Sequence, residues 1–143
     1  MQVNEIMTRY AECIAPDACV QEAAERMKAL DIGALPVCEN DRILGMVTDR
    51  DIAIRCVAEG KDACSVMVRD IMTPQVIYCF EDQDVTEAAK LMHDKQVRRL
   101  PVLNRRKRLT GIVSIGDLAV EDGNEQLVGE ALEGISEPAS PMR

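Results

Sequence analysis

The sequence predicts an α+β protein built from two similar β-α-β-β-α repeats. Two observations support this prediction. The first is a pattern of apolar and acidic residues that recurs without a gap about 65 positions further along the chain. Its matched positions are Asp17, Val20, Ala23 and Met27 with Asp82, Val85, Ala88 and Met92. The second is that the same shift places Leu35-Pro36-Val37 over Leu100-Pro101-Val102, so a helical pattern and a strand pattern recur together.

The composition allows one hydrophobic core of ordinary domain size. The chain has 143 residues, of which 47% are hydrophobic. Each half, of roughly 60 residues, would be marginal alone, so we expect the halves to pack against each other. Aromatic residues make up only 2% and the formal net charge is -8, which disfavours nucleic-acid binding because stacking platforms and a basic surface are both lacking.

The expected location is the cytoplasm, without membrane association. The chain does not open with a secretory signal pattern, and no apolar run approaches the ~18 residues that a membrane span requires. The six cysteines include no C-x-x-C pair, and scattered cysteines in a reducing compartment are usually buried small hydrophobes.

The first repeat covers residues 1–60. Its predicted elements are a strand at 12–15, a helix at 20–30, strands at 34–38 and 43–47, and a helix at 49–58. The helix at 20–30 carries apolar residues at helical spacing, and Asp17 precedes it as a candidate cap. Gly60 is expected to end the second helix.

The second repeat covers residues 68–122, after a polar linker at 61–67, and it repeats the same order. Its predicted elements are a strand at 76–79, a helix at 85–93, strands at 99–103 and 109–113, and a helix from residue 115. Asp84 and Glu87 have the spacing of a capping box at the start of the first helix.

The ends of the repeats have further features. Residues 3–7 and 68–72 share the pattern V-x-E/D-I-M, which predicts a short lead-in turn at the start of each repeat. The C-terminal extension, residues 123–143, has no counterpart in the first repeat. We expect it to be partly disordered, with a helical turn or two at 126–132 and a frayed end at 137–143.

A hydroxyl and a carboxylate recur three residues apart at the predicted strand-to-helix junctions, as Thr48 with Asp51 and Ser114 with Asp117. One interpretation is structural, because this spacing is typical of helix starts whose side chains cap free amides. The other is functional. A helix N-terminus and a hydroxyl can donate to a phosphate, and a carboxylate can accept both hydrogen bonds of a ribose diol. Recurrence at the same place in both repeats favours the functional interpretation.

Together, the doubled motifs V-x-E/D-I-M, V-x-E-A-A, L-P-V and G-h-V-T/S-x-x-D-h resemble those of the CBS-domain pair, or Bateman module, from about Val3 to Val120. The resemblance implies two β-α-β-β-α units packed into a pseudo-twofold disc. Their clefts would bind AMP, ADP, ATP, S-adenosylmethionine or NAD. It also implies that Asp51 and Asp117 hold ribose while Thr48 and Ser114 approach phosphate.

The two clefts are predicted to differ in charge. Arg98 and Arg99 precede L-P-V in the second repeat, where the resemblance places a basic residue facing phosphates, whereas Gly33 and Ala34 stand there in the first. The cleft with Asp117 should therefore bind a phosphorylated nucleoside more tightly. The alternative is that the two arginines form a solvated strand start beside acidic residues.

The remaining candidates are weaker. The basic run at residues 105–108 is expected to be a solvated hairpin tip, and the single histidine, His93, has no matched partners for catalysis or metal binding. Cys13 and Cys38 lie on strands that the fold can bring together. They could form a disulfide or share a metal ion, although buried thiols are the simpler interpretation.

The favoured interpretation is a stand-alone, non-enzymatic regulatory module that requires no cofactor and binds an adenosine-containing ligand. It would form a homodimer through helical faces and act on an unidentified effector protein. The alternatives are a redox- or zinc-responsive CBS pair that uses Cys13 and Cys38, and a dimerisation module that binds no ligand.

Overall fold

The computed structural model describes residues 1–9, 12–74, 77–119 and 125–136, which belong to two compact units. The first-repeat unit comprises residues 11–76, and the second-repeat unit comprises residues 1–10 with 77–143. Each unit contains helices packed with strands, so the α+β prediction is confirmed.

The described residues of the first-repeat unit form α1 (Val20–Leu30), β1 (Ala34–Glu39), β2 (Arg42–Thr48), α2 (Asp49–Ile52) and α3 (Val68–Ile71). Strands β1 and β2 form an antiparallel pair. The chain after α2 continues as a π-helix over Ala53–Val57, where the pattern predicted an α-helix. The strand predicted at 12–15 contributes a single parallel bridge, from Ile14 to Val37.

The core of this unit is aliphatic. Val20, Ala23 and Met27 line the inner side of α1 and pack with buried strand residues, including Leu35 and Val47. The start of α1 differs from the prediction, because Cys19 rather than Asp17 is its N-cap and no side chain caps it. The linker supplies the acceptors instead. The amides of the first two helical residues donate to Val66 O at 2.9 Å and Ala63 O at 3.0 Å.

The second-repeat unit begins with a 3-10 turn at the N-terminus of the chain. Its elements are that turn (Val3–Glu5), β3 (Cys79–Phe80), α4 (Val85–Lys95), β4 (Arg99–Leu103), β5 (Leu109–Ser114), α5 (Ile115–Asp117) and α6 (Glu125–Ser136). The sheet order is β3-β4-β5, with β3 parallel to β4 and β4 antiparallel to β5. Asp84 caps α4 by accepting from the Thr86 amide at 2.9 Å. The first part of the strand predicted at 76–79 lies outside the described residues.

Each lead-in segment packs against strands of the other repeat. Residues 3–7 belong to the second-repeat unit, and residues 68–72 belong to the first-repeat unit. The Thr8 amide donates to Ile112 O of β5 at 2.9 Å, and the Ile112 amide donates back at 3.0 Å. In the first-repeat unit, the Thr73 amide donates to Met46 O of β2 at 2.8 Å, and the Met46 amide donates to Thr73 O at 3.1 Å. The sequence pattern placed each lead-in at the start of its own repeat, but a local pattern does not specify which sheet the segment joins.

Helix α6 is longer than the one or two turns expected for residues 126–132. Ala131 is buried, and Leu127, Val128 and Ile135 pack against the core of the second-repeat unit. The Gln96 side chain, just after α4, donates to Gly134 O at 3.0 Å. Burial of this apolar face accounts for an ordered helix without a repeat partner. Residues 137–143, predicted to be frayed, lie outside the described residues.

Candidate functional site

The junction between β2 and α2 is closed by a reciprocal pair of hydrogen bonds. The Thr48 amide donates to Asp51 Oδ2 at 3.0 Å, and the Asp51 amide donates to Thr48 Oγ1 at 3.1 Å. The structural interpretation of this motif is thus confirmed as a capping box. It leaves the Thr48 hydroxyl hydrogen and the second carboxylate oxygen as further hydrogen-bonding groups.

The junction between β5 and α5 repeats this geometry. The Ser114 amide donates to Asp117 Oδ2 at 2.8 Å, and the Asp117 amide donates to Ser114 Oγ at 3.1 Å. Asp117 is half-buried, and Asp51 is 9% exposed. Both carboxylates are therefore fixed by the backbone before any ligand arrives.

The residues before L-P-V lie beside these junctions. In the antiparallel register Ala34 is opposite Thr48, and Arg99 is opposite Ser114. The Ile115 amide donates to Arg98 O at 2.9 Å. The structure thus brings Arg98, Arg99, Ser114 and Asp117 to one end of the second-repeat sheet, with both arginines exposed.

The corresponding junction of the first-repeat unit carries an additional acid. The Asp49 amide donates to Gly33 O at 2.9 Å, and a Cβ at Gly33 would lie 2.8 Å from Asp49 Oδ2. Asp49 Oδ1 accepts from the Arg50 amide at 2.8 Å. Together with the capping box, these bonds engage the first three amides of α2 within the protein, so they are not available to a phosphate.

In the second-repeat unit, the amide of Gly116 is equivalent to that of Arg50, but the residue before it differs. Ile115 stands where the first repeat has Asp49, and its side chain has no acceptor for the amide of Gly116. Gly116 is exposed, so its N–H can donate to an external anion. The shared motif G-h-V-T/S-x-x-D-h aligns Asp49 with Ile115 and Arg50 with Gly116. The importance of these positions emerges only from the amide geometry.

Arg55 forms an ion pair with the Asp51 carboxylate. Its Nε lies 4.0 Å from Asp51 Oδ1. Its Nη1 donates to Ile71 O and Met72 O, both at 3.2 Å. The guanidinium is thus held by backbone carbonyls and acts as a partner of Asp51 more than as a phosphate ligand.

The other sequence candidates lie apart from these junctions. Arg105, in the basic run, binds Asp82 at 2.8 Å and lies 4.3 Å from the centroid of the Phe80 ring. This ion pair lowers the pKa of Asp82. His93 is exposed on α4, and its Nδ1 lies 3.0 Å from Asp94. Within the described residues, no group of three or more His, Cys, Asp or Glu could hold a metal ion.

Cys13 and Cys38 are brought together by the bridge between Ile14 and Val37. The two thiols are near enough for each to shift the pKa of the other. Cys38 is buried and Cys13 is half-buried. In the described parts of the chain, none of the helices is both long enough and apolar enough for a membrane crossing.

Comparison with known proteins identifies the family. The model of the CBS domain matches residues 3–57 and residues 68–129. The chain belongs to the CBS-domain family. Both strand-to-helix junctions of this CBS pair lie within the matched ranges. The chain is 38% identical over 134 residues to the CBS domain-containing protein YhcV of Bacillus subtilis, a match that covers 94% of each protein.

Two solved structures show the same fold. Hypoxic Response Protein I, solved with two coordinated zinc ions, has a TM-score of 0.78 and 34% identity, covering 85% of this chain and 98% of that chain. The CBS domain pair of protein MJ0100, solved in complex with 5′-methylthioadenosine and S-adenosyl-L-methionine, has a TM-score of 0.76 and 27% identity. That match covers 86% of this chain and 96% of the MJ0100 chain. The prediction of a CBS pair is thus confirmed.

Proposed function

We propose that this CBS pair is a non-enzymatic regulatory module that binds adenosine-containing ligands, with AMP, ADP, ATP, NAD and S-adenosylmethionine as the candidates. The observation that carries this proposal is the pair of backbone-fixed carboxylates, Asp51 and Asp117, at equivalent junctions. Each can accept hydrogen bonds from a ribose diol. The adenosyl ligands of the MJ0100 pair support the ligand class.

The junction in the second-repeat unit is the better candidate for a phosphorylated ligand. Arg98 and Arg99 supply positive charge, and the Ser114 hydroxyl and the Gly116 amide supply donors. Asp117 would then hold the ribose. Charge-assisted hydrogen bonds from arginine to phosphate are about twice as strong as neutral ones, so the arginines should dominate the preference.

The junction in the first-repeat unit suits an adenosyl ligand without phosphates. Asp49 and Asp51 place two carboxylates within three residues, and the Asp49 side chain occupies the Arg50 amide. A phosphate there would meet like charge without a free amide in the first turn. We therefore assign the weaker phosphate affinity to this unit.

The output would follow from linkage. A ligand that binds one arrangement of the protein more tightly than another shifts the population toward that arrangement, which an effector protein can then recognise. We propose that the effector is a separate protein and that the module itself is a homodimer.

Exposed apolar residues support self-association. Leu30 and Ile32 at the end of α1, and Ile54 and Val57 on the π-helix, are between 39% and 67% exposed, all in the first-repeat unit. Val57→Lys should convert the dimer to a monomer in light scattering, whereas Leu132→Lys on α6 should not. A dimer that survives Val57→Lys but is lost with Leu132→Lys would place the interface on α6 instead.

Thermal unfolding of the reduced, metal-free protein with each of the five ligands tests the proposed function. A ligand at about 100 times its Kd should add roughly 2.7 kcal/mol to the stability. Asp117→Ala should reduce the stabilisation that ATP produces by about half or more. Asp84→Ala is the matched control, because it also removes a helix-capping aspartate from the second-repeat unit. No shift with any ligand would favour the ligand-free dimerisation module.

A further inference from the structure

Two cysteines meet at the edge of the first-repeat sheet. The Ile14 amide donates to Pro36 O at 2.9 Å, and the Cys38 amide donates to Ile14 O at 3.0 Å. These bonds fix the segment that contains Cys13 alongside β1. Because side chains alternate along extended chain, Cys13 and Cys38 project to the face opposite that of Ile14 and Val37, which are buried in the core.

The surroundings of the two thiols shift their pKa values in opposite directions. Interaction with the Cys38 thiol lowers the pKa of Cys13 and outweighs burial and the Asp41 carboxylate, which raise it, while Arg26 adds a smaller lowering. The Arg26 Nη1 donates to Cys13 O at 2.7 Å, which holds the guanidinium near this thiol. For Cys38, interaction with the Cys13 thiol and burial raise the pKa. Cys13 is therefore the more acidic thiol of the pair.

The exposure of the two cysteines agrees with these different roles. Cys13 is half-buried, so a small oxidant can reach it, while Cys38 is only 7% exposed. A solvent-accessible thiol of lowered pKa beside a second, resolving thiol is the arrangement of redox-sensing cysteines. Two thiols alone are fewer than the four ligands of a structural zinc site, so the arrangement favours redox chemistry over zinc binding.

The other cysteines are in different settings. Cys56 is fully buried and its thiol donates to Lys61 O at 3.6 Å. Cys79 is 2% exposed, and burial raises its pKa to about 12. Cys64 is exposed on the linker.

We propose that Cys13 and Cys38 form a peroxide-responsive dithiol site, a function beyond adenosyl-ligand binding. The Cys13 thiolate attacks the O–O bond of a hydroperoxide, forming a sulfenic acid and releasing an alkoxide or hydroxide that takes up a proton. The Cys38 sulfur then attacks the sulfenic sulfur, forming the S–S bond and releasing water. Two thiols and one hydroperoxide thus become a disulfide, water and an alcohol, or a second water when the oxidant is hydrogen peroxide.

Peptide mapping after treatment with hydrogen peroxide tests this site. In the wild-type protein, two of the six thiols should be lost, and trypsin should release the peptide 10–26 linked to the peptide 29–42. The first of these peptides also contains Cys19, so Cys19→Ser should leave the link intact. Cys64→Ser is the control for loss of an exposed thiol, and it should also form the link.

Cys13→Ser should slow the loss of thiols by at least tenfold, because the remaining Cys38 is buried. Cys38→Ala serves as the second variant, in which Cys13 should still be oxidised but stop at the sulfenic acid, detectable by dimedone labelling. Unchanged alkylation of both cysteines after peroxide treatment of the wild-type protein would overturn the proposal. So would equal rates of thiol loss in the wild type and in Cys13→Ser. Neither result bears on ligand binding at Asp117.

Discussion

At the scale of single residues, the difference between the two candidate sites comes from a few positions. Asp49 and Ile115 are equivalent in the repeats, but only Asp49 can accept from the following amide. Arg98 and Arg99 add charge where the first repeat has small residues. The sequence predicted the arginines and the two capping boxes. It did not reveal the role of Asp49, because an acidic residue in a first helical turn is also an ordinary capping residue.

Close backbone approach gives a stability prediction at Gly111. A Cβ at this position would lie 2.5 Å from Thr8 O, in the strand pair that attaches the N-terminal lead-in. Gly111→Ala should therefore destabilise the protein by about 1–3 kcal/mol in chemical denaturation, because backbone must move. Gly129→Ala on α6 is the control, since a Cβ there meets nothing within 4 Å. It should be neutral or stabilise by up to ~1 kcal/mol. Equal effects of the two substitutions would contradict this packing.

The buried thiol of Cys79 predicts a loss of stability at alkaline pH. Burial raises its pKa in the folded protein from 9.0 to about 12. The unfolded chain loses this proton first, so the contribution to stability is complete below pH 9 and declines as pH rises toward 12. Cys79→Ala should have a shallower decline above pH 9 than the wild type in urea unfolding at successive pH values. Parallel curves would indicate an ordinary thiol.

At the scale of elements, the lead-ins and α6 are the features that the repeat pattern did not place. Periodicity identified the helices and strands because each buries one apolar face within its own repeat. The V-x-E/D-I-M segments carry the same buried valine and isoleucine in either sheet, so their partners depend on tertiary structure. Helix α6 has no counterpart in the first repeat, and its order comes from packing against α4.

The placement of the lead-ins gives a test by hydrogen exchange. Val3 and Val68 are equivalent, and both are completely buried. Val3→Ala should destabilise by about 1–3 kcal/mol and increase exchange mainly in residues 77–119. Val68→Ala should instead increase exchange mainly in residues 12–74. The reverse pattern would mean that each lead-in stabilises its own repeat.

At the scale of the whole molecule, the chain combines a duplicated fold with two unequal candidate ligand sites and a separate thiol pair. The fold class and the family could be predicted from the sequence, because doubled motifs are specific and hydrophobic periodicity is local. The ligand could not, since ribose and phosphate contacts are common to all the candidate adenosyl ligands. The inequality of the sites suits a sensor that distinguishes phosphorylated from unphosphorylated ligands.

We propose that the second-repeat junction is the principal site for a phosphorylated adenosine ligand. Isothermal titration calorimetry with ATP, on the reduced wild-type, Asp51→Ala and Asp117→Ala proteins, measures the contribution of each junction. Asp117→Ala should weaken ATP binding at least tenfold, a loss of about 1.4 kcal/mol or more, while Asp51→Ala should change the principal affinity less than twofold. Equal losses in the two variants, or a larger loss in Asp51→Ala, would contradict it.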